Sequence, residues 1–130
     1  MSIIAENNAI QMPVLALRGV VVFPNTVASF DVGRKKSINA LKYAMEKNQL
    51  IYLVTQKDFY ADEPESSDLY KIGCVARVKQ VLRVSDNLTK VLVQGLYRAT
   101  HTDFYALPDF YNAKVSKCEE QAVTNREIYI

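Results

Sequence analysis

Only one stretch of this chain repeats its apolar residues at helical spacing, and it lies early, between segments that alternate. From Arg34 to Asn48, Ile38, Leu41 and Met45 recur on one side with Ala40 and Ala44 beside them, while Lys35, Asn39, Lys42 and Glu46 take the opposite face. Gly33 is the expected N-cap, and Asn48 and Gln49 end the pattern. Each large apolar side chain contributes about 1.5–3 kcal/mol when fully buried. A lone amphipathic helix needs a second layer to bury them against, and here that layer must be a sheet.

The rest of the chain supplies strands. Val14 to Arg18 alternates, Gly19 interrupts, Val20-Val21-Val22-Phe23 resumes the β-branched run, and Pro24-Asn25 stops it. Thr26 to Asp31 is a short further strand. Leu50 to Thr55 is nearly all apolar, as suits a strand buried on both faces. In the second half Ile72, Cys74, Ala76 and Val78 share a face, and the phase slips near Gln80, which predicts a β-bulge. Ser85 to Thr89 is a turn, and Gly95 interrupts the return strand through Val91 and Val93 as a bulge or bend would. A last strand runs from Phe110 to Cys118. About six strands and one inserted helix predict a mainly β, α+β domain with a small, curled, partly closed sheet.

The 130 residues fit one domain, with 49% apolar and 23% charged residues, which excludes disorder. Sixteen basic against fourteen acidic residues give a net charge of +2, too even to predict an electrostatic nucleic-acid binder. No apolar run is long enough for a membrane span, and the start does not read as a signal peptide. The two cysteines, Cys74 and Cys118, make no disulfide scaffold; a reduced, buried Cys74 is expected, and with it a cytoplasmic location.

No constellation of catalytic residues emerges. The four glycines, Gly19, Gly33, Gly73 and Gly95, are too dispersed for a phosphate-binding loop. The single histidine, His101, reads as part of an exposed strand end between Thr100 and Thr102. Two distant cysteines and one histidine make a poor metal site. The acidic residues of the segment from Gln56 to Leu69 suit a solvated loop, or a contact for basic segments or a neighbouring domain. Exclusion therefore favours a binding module over an enzyme. Phe104, Tyr105, Phe110 and Tyr111 cluster around Leu107-Pro108-Asp109, either as a plug under a loop or as apolar surface for unfolded polypeptide.

Four blocks in order then resemble one family. Met12-Pro13-Val14-Leu15-Ala16-Leu17-Arg18, followed by Gly19-Val20-Val21-Val22-Phe23-Pro24, resembles the opening motif of the Lon protease N-terminal domain, with Ala16 in place of its second proline. Val32-Gly33-Arg34 with Ser37-Ile38 and Ala40-Leu41 resembles the next block. Gln56-Lys57-Asp58, Pro64, Asp68-Leu69-Tyr70, Ile72-Gly73 and Val75-Ala76 follow, and Lys90 to Arg98 resembles the closing hairpin strand. The likeness spans residues 12–118, which leaves 1–11 as an N-terminal arm and 119–130 as a tail or linker toward missing domains.

The resemblance implies a PUA-like six-stranded pseudo-barrel and a substrate-recognition role in an ATP-dependent serine protease. No catalytic, cofactor or metal residues are expected in this chain; ATP and magnesium belong to the missing domains. Implied partners are unfolded or degron-bearing proteins and the rest of the protease chain, with weak self-association as a further mode and no membrane. Within the matching blocks, Leu15, Leu17, Val21 and Phe23 are expected in the core, and Arg18 and Arg34 in structural hydrogen bonds or ion pairs. Pro24, Phe30, Tyr97, Phe104, Tyr105 and Leu107 are the candidate polypeptide-binding residues. The alternative is an RNA-binding module, since PUA-like folds also occur in RNA-modifying proteins; the even charge and the lack of a basic cluster argue against it. A small enzyme would require converging titratable groups.

Overall fold

The computed structural model describes residues 9–118. Of the arm expected at 1–11, residues 1–8 lie outside the described residues, as does the tail at 119–130, whereas Ile10 and Gln11 already belong to the first strand. Six strands and one α-helix follow in the order β1 (Ile10–Leu17), β2 (Val27–Val32), α1 (Lys35–Glu46), β3 (Leu50–Thr55), β4 (Ile72–Ser85), β5 (Leu88–Ala106) and β6 (Tyr111–Lys117), with a short 3-10 helix at Ser66–Asp68. The sheet order is β2-β5-β4-β3-β1-β6, and β5 also pairs with β6. That extra pairing closes β5, β4, β3, β1 and β6 into a ring and leaves β2 as an appended edge. The architecture is the mainly β sheet with one helix that the pattern predicts, and it closes into the pseudo-barrel that the resemblance implies through five of its six strands.

Strand alternation explains the core. Leu15 and Leu17 of β1, Ile51 and Leu53 of β3, and Cys74, Ala76 and Val78 of β4 join Ala40, Leu41 and Ala44 of α1 in one buried cluster. The intervening Met12, Val14, Ala16, Tyr52, Val54 and Val75 join Ala99, Tyr111, Ala113 and Val115 in a second. β3 is thus apolar on both faces, which is why its sequence shows no alternation. β1 and β3 pair in parallel from Val14↔Tyr52 to Leu17↔Thr55, with α1 in the crossover between them.

Several expectations need correction. Val20–Phe23 is not a strand. Gly19 takes a left-handed backbone (φ 68°) that ends the β1 direction, and the chain crosses to β5 instead. There the Asn25 N–H donates to the Gly95 carbonyl at 2.9 Å, and the Gly95 N–H donates to Thr26 at 2.8 Å. Val22 alone of the apolar triplet is deeply buried; Val21 is 58% exposed and Phe23 40%, so neither is core. Arg34, not Gly33, is the N-cap residue of α1, with extended backbone and no side-chain cap. Its carbonyl accepts the Ile38 N–H at 3.0 Å. The buried stripe of α1 is Ser37, Ala40, Leu41 and Ala44, whereas Met45 stays exposed. The helix rests on its small residues because the sheet approaches closely there.

β5 runs for 19 residues without ending at Gly95. The register passes from Val75↔Tyr97 to Ala76↔Gly95, so Leu96 is an extra residue and the strand bends there, the bulge or bend expected at Gly95. The slip foreseen near Gln80 is a second bulge, between Val78↔Val93 and Gln80↔Leu92.

Two substitutions probe this packing. A Cβ on Gly95 would collide with the Phe23 carbonyl oxygen, a backbone atom. Gly95→Ala should therefore cost about 2 kcal/mol or more in denaturant titration. Leu41 is fully buried, and Leu41→Asp places an unpaired carboxylate in the helix-side core. Its thermal midpoint should collapse, and an unchanged midpoint would refute the core assignment of α1.

Candidate functional site

The six candidate residues are all half-buried, and they do not form one patch. Phe30 on β2 packs against the helix-side cluster, while Tyr97 and Phe104 on β5 pack against the other. Pro24 sits in the turn before β2. Phe104, Tyr105 and Leu107 do come together at the β5–β6 hairpin. Phe104 stacks on Tyr111 with ring centroids 5.2 Å apart, Tyr105 shares a hydrogen bond with Gln11, and the Leu107 N–H donates to the Phe110 carbonyl at 2.9 Å.

His101 is not at an exposed strand end but in the middle of β5, between Tyr52 and Phe104 at ring distances of 5.4 and 6.1 Å. Burial lowers its pKa and raises that of the Tyr52 hydroxyl, so both are neutral near pH 7. The Tyr52 hydroxyl and His101 Nδ1 share a hydrogen bond at 2.8 Å, and the same hydroxyl lies 3.4 Å from the Ala99 carbonyl. Burial likewise raises the pKa of Cys74, which keeps it a thiol; it is buried and free, as expected. Among the described residues, no group of three His, Cys, Asp or Glu side chains could hold a metal ion. Nor is any described helix long and apolar enough to cross a membrane.

The acidic loop is pinned rather than free. Arg18 pairs with the Asp62 carboxylate at 3.0 Å and donates to the Ala61 carbonyl at 3.1 Å. Arg34 donates to the Ala16 carbonyl at 2.6 Å and to the Asp62 carbonyl at 3.2 Å. Lys36 reaches Glu63 at 3.5 Å while lying over the Tyr111 ring at 4.6 Å. From the other side the buried Gln56 amide donates to the carbonyls of Asp58 and Ala61. Arg18 and Arg34 thus have the structural roles expected of them. The contact for basic segments is made within the chain itself.

The exposed apolar surface lies largely elsewhere. The far end of the β4–β5 hairpin extends past the body and presents Val81, Leu82 and Val84 at 38%, 54% and 51% exposure. Between this arm and α1 runs a groove of about 400 Å³, lined by Ile38, Leu41, Met45 and Val81 and flanked by charged side chains. Phe59 and Tyr60 form a second exposed pair on the acidic loop, edge-on at 5.3 Å. The signal missed in the sequence is Val81-Leu82-Arg83-Val84, which is too apolar for a hairpin arm with two solvated faces.

Comparison with known proteins decides the family. Residues 11–128 match the family described as the ATP-dependent protease La (LON) substrate-binding domain. The chain belongs to the Lon substrate-binding domain family. A Lon protease of Syntrophomonas wolfei is 41% identical over 118 residues, which is 91% of this chain and 14% of that protein. The Lon protease of Escherichia coli K12 is 42% identical over 122 residues, 94% of this chain and 16% of that protein. The chain thus spans about a seventh of the length of these curated relatives. Two solved structures share the fold. The N-terminal domain of Mycobacterium avium complex Lon protease superposes with a TM-score of 0.69 at 21% identity, covering 91% of this chain and 59% of that one. A Lon N-terminal domain protein from Xanthomonas campestris gives 0.64 at 13% identity, covering 85% and 60%.

This Lon-family domain carries one buried titration near neutral pH. The folded His101 binds its proton less readily than the unfolded chain, where the pKa is near 6.5. Its contribution to stability is complete above that value and is lost as pH falls through the lower folded pKa. Wild type should therefore lose stability between pH 7 and 5 faster than His101→Gln, as read from denaturation midpoints. Parallel slopes would exclude the neutral, buried histidine.

Proposed function

We propose that this chain is the substrate-recognition part of an ATP-dependent, Lon-type serine protease of the cytoplasm. It captures unfolded or degron-bearing proteins for degradation in protein quality control and performs no chemistry of its own. ATP and magnesium bind, and peptide bonds are cut, in other segments of the protease. The observation that carries this reading is the family match across residues 11–128. The exposed apolar arm and its groove support it, because unfolded proteins are distinguished from folded ones by the apolar segments they expose.

The physics of such capture is modest. A shallow groove and a few exposed side chains give single-copy affinity on the order of micromolar or poorer, at most about 8 kcal/mol. Several copies held together would add avidity through effective concentration. Weak single contacts also let a substrate be handed on.

The test compares one protein in two states. A permanently unfolded model protein should bind the 130-residue chain about tenfold more tightly than its native form, measured by titration calorimetry or fluorescence anisotropy. Met45→Glu, at the exposed rim of the groove, should weaken that binding and leave the thermal midpoint unchanged. Equal, negligible binding of both states would count against the reading, and steeply salt-dependent RNA binding would favour the RNA-binding alternative.

A further inference from the structure

β4 outruns its neighbour. It pairs with β3 only from Leu53↔Cys74 to Leu50↔Arg77, and the last backbone contact on that side is the Val78 N–H to the Gln49 carbonyl at 2.8 Å. From Gln80 to Ser85 β4 remains paired with β5 on its other side, so its backbone is held extended. Among the described residues, no strand covers its free edge there. An uncovered edge presents a row of N–H and C=O groups, and natural sheets ordinarily blunt such edges. This one carries Val81, Leu82 and Val84 and has no proline. The groove lined by Ile38, Leu41 and Met45 runs directly alongside it.

We propose that the Gln80–Ser85 edge of β4 takes up an extended segment of an unfolded polypeptide as an added strand, which rests on the substrate-capture reading above. Main-chain hydrogen bonds supply affinity without demanding a sequence. Alternate side chains of the guest drop into the groove against Ile38, Met45 and Val81, and the others lie beside Leu82 and Val84. A folded protein has its strands already paired and offers nothing to this edge.

Size selects the occupant. The edge residues extend about 20 Å. Covering them and the groove buries on the order of several hundred Å², short of the roughly 1,200 Å² that a stable interface between two copies needs. Arg83 pairs with Asp86 at 3.0 Å and Lys42 is matched by Glu46, so the charged side chains around the groove balance. The guest that fits is therefore a single extended segment with alternating apolar residues, and the charge of its ends is not selected.

The probe is a ten-residue peptide of alternating Val or Leu and Ser with glutamates at both ends. It is compared with a form N-methylated along both edges and with a lysine-ended form; the change is made in the peptide, so folding of the 130-residue chain is constant. The parent peptide should bind and protect the amides of residues 80–85 from hydrogen exchange. N-methylation should weaken binding about tenfold or more, and lysine-ended and glutamate-ended forms should bind alike. The unfolded model protein is titrated in parallel. If it binds while the N-methylated and parent peptides bind equally, strand addition is wrong and substrate capture stands. If neither the protein nor the peptides bind, both readings fall. Binding that follows the charge of the peptide ends and not its free amides would overturn the proposal. So would protection of residues 80–85 in the free chain, whether by concentration-dependent dimerisation or by residues 1–8 or 119–130.

Discussion

A 19-residue strand that pairs with β2, β4 and β6 cannot stay flat, and the bend of β5 at Gly95–Leu96 is the constraint on which the other elements depend. Leu96 is the extra residue that turns the strand. Gly95 admits the Phe23 carbonyl where any side chain would collide. The segment after β1 is thereby tied to the bend, with Asn25 and Thr26 exchanging backbone hydrogen bonds with Gly95. Once β5 is bent, its first half continues the sheet toward β4 and β2. Its second half swings round to β6 and closes the ring.

That closure determines what the titratable and aromatic groups are used for. Tyr52, His101, Phe104 and Tyr111 line up under the β5–β6 hairpin as packing, and the one tightly placed imidazole is occupied by a tyrosine hydroxyl. Arg18, Arg34 and Lys36 are engaged in holding the acidic loop. These side chains are committed to the scaffold, while the arm at Val81–Val84 leaves apolar side chains exposed.

Much of the fold was legible because period and burial agree. The helix, the doubly buried β3 and the bulge near Gln80 all announce themselves through apolar spacing, a local property. The site was less legible. Phe104, Tyr105 and Leu107 were correctly grouped at one hairpin, yet aromatic rings fill cores as readily as they cover surfaces, and here the rings of the closing hairpin are half-buried. Pro24, Phe30 and Tyr97 were chosen by residue type and fall on separate elements. The exposed run at Val81–Val84 was read as an ordinary hairpin arm, since nothing local reveals that β3 stops at Leu50 and leaves β4 uncovered.

By itself, the order of residues determined most element types, the free, buried Cys74 and the family. These follow from local spacing and chemical identity. Only tertiary structure decided that Val21 and Phe23 face out, that β5 carries on past its bend to pair with β6, that His101 sits half-buried between aromatic rings, and which strand edge stays open. Each depends on how far a neighbour distant in sequence extends, and that length is set by packing and backbone pairing rather than by the residues on either side.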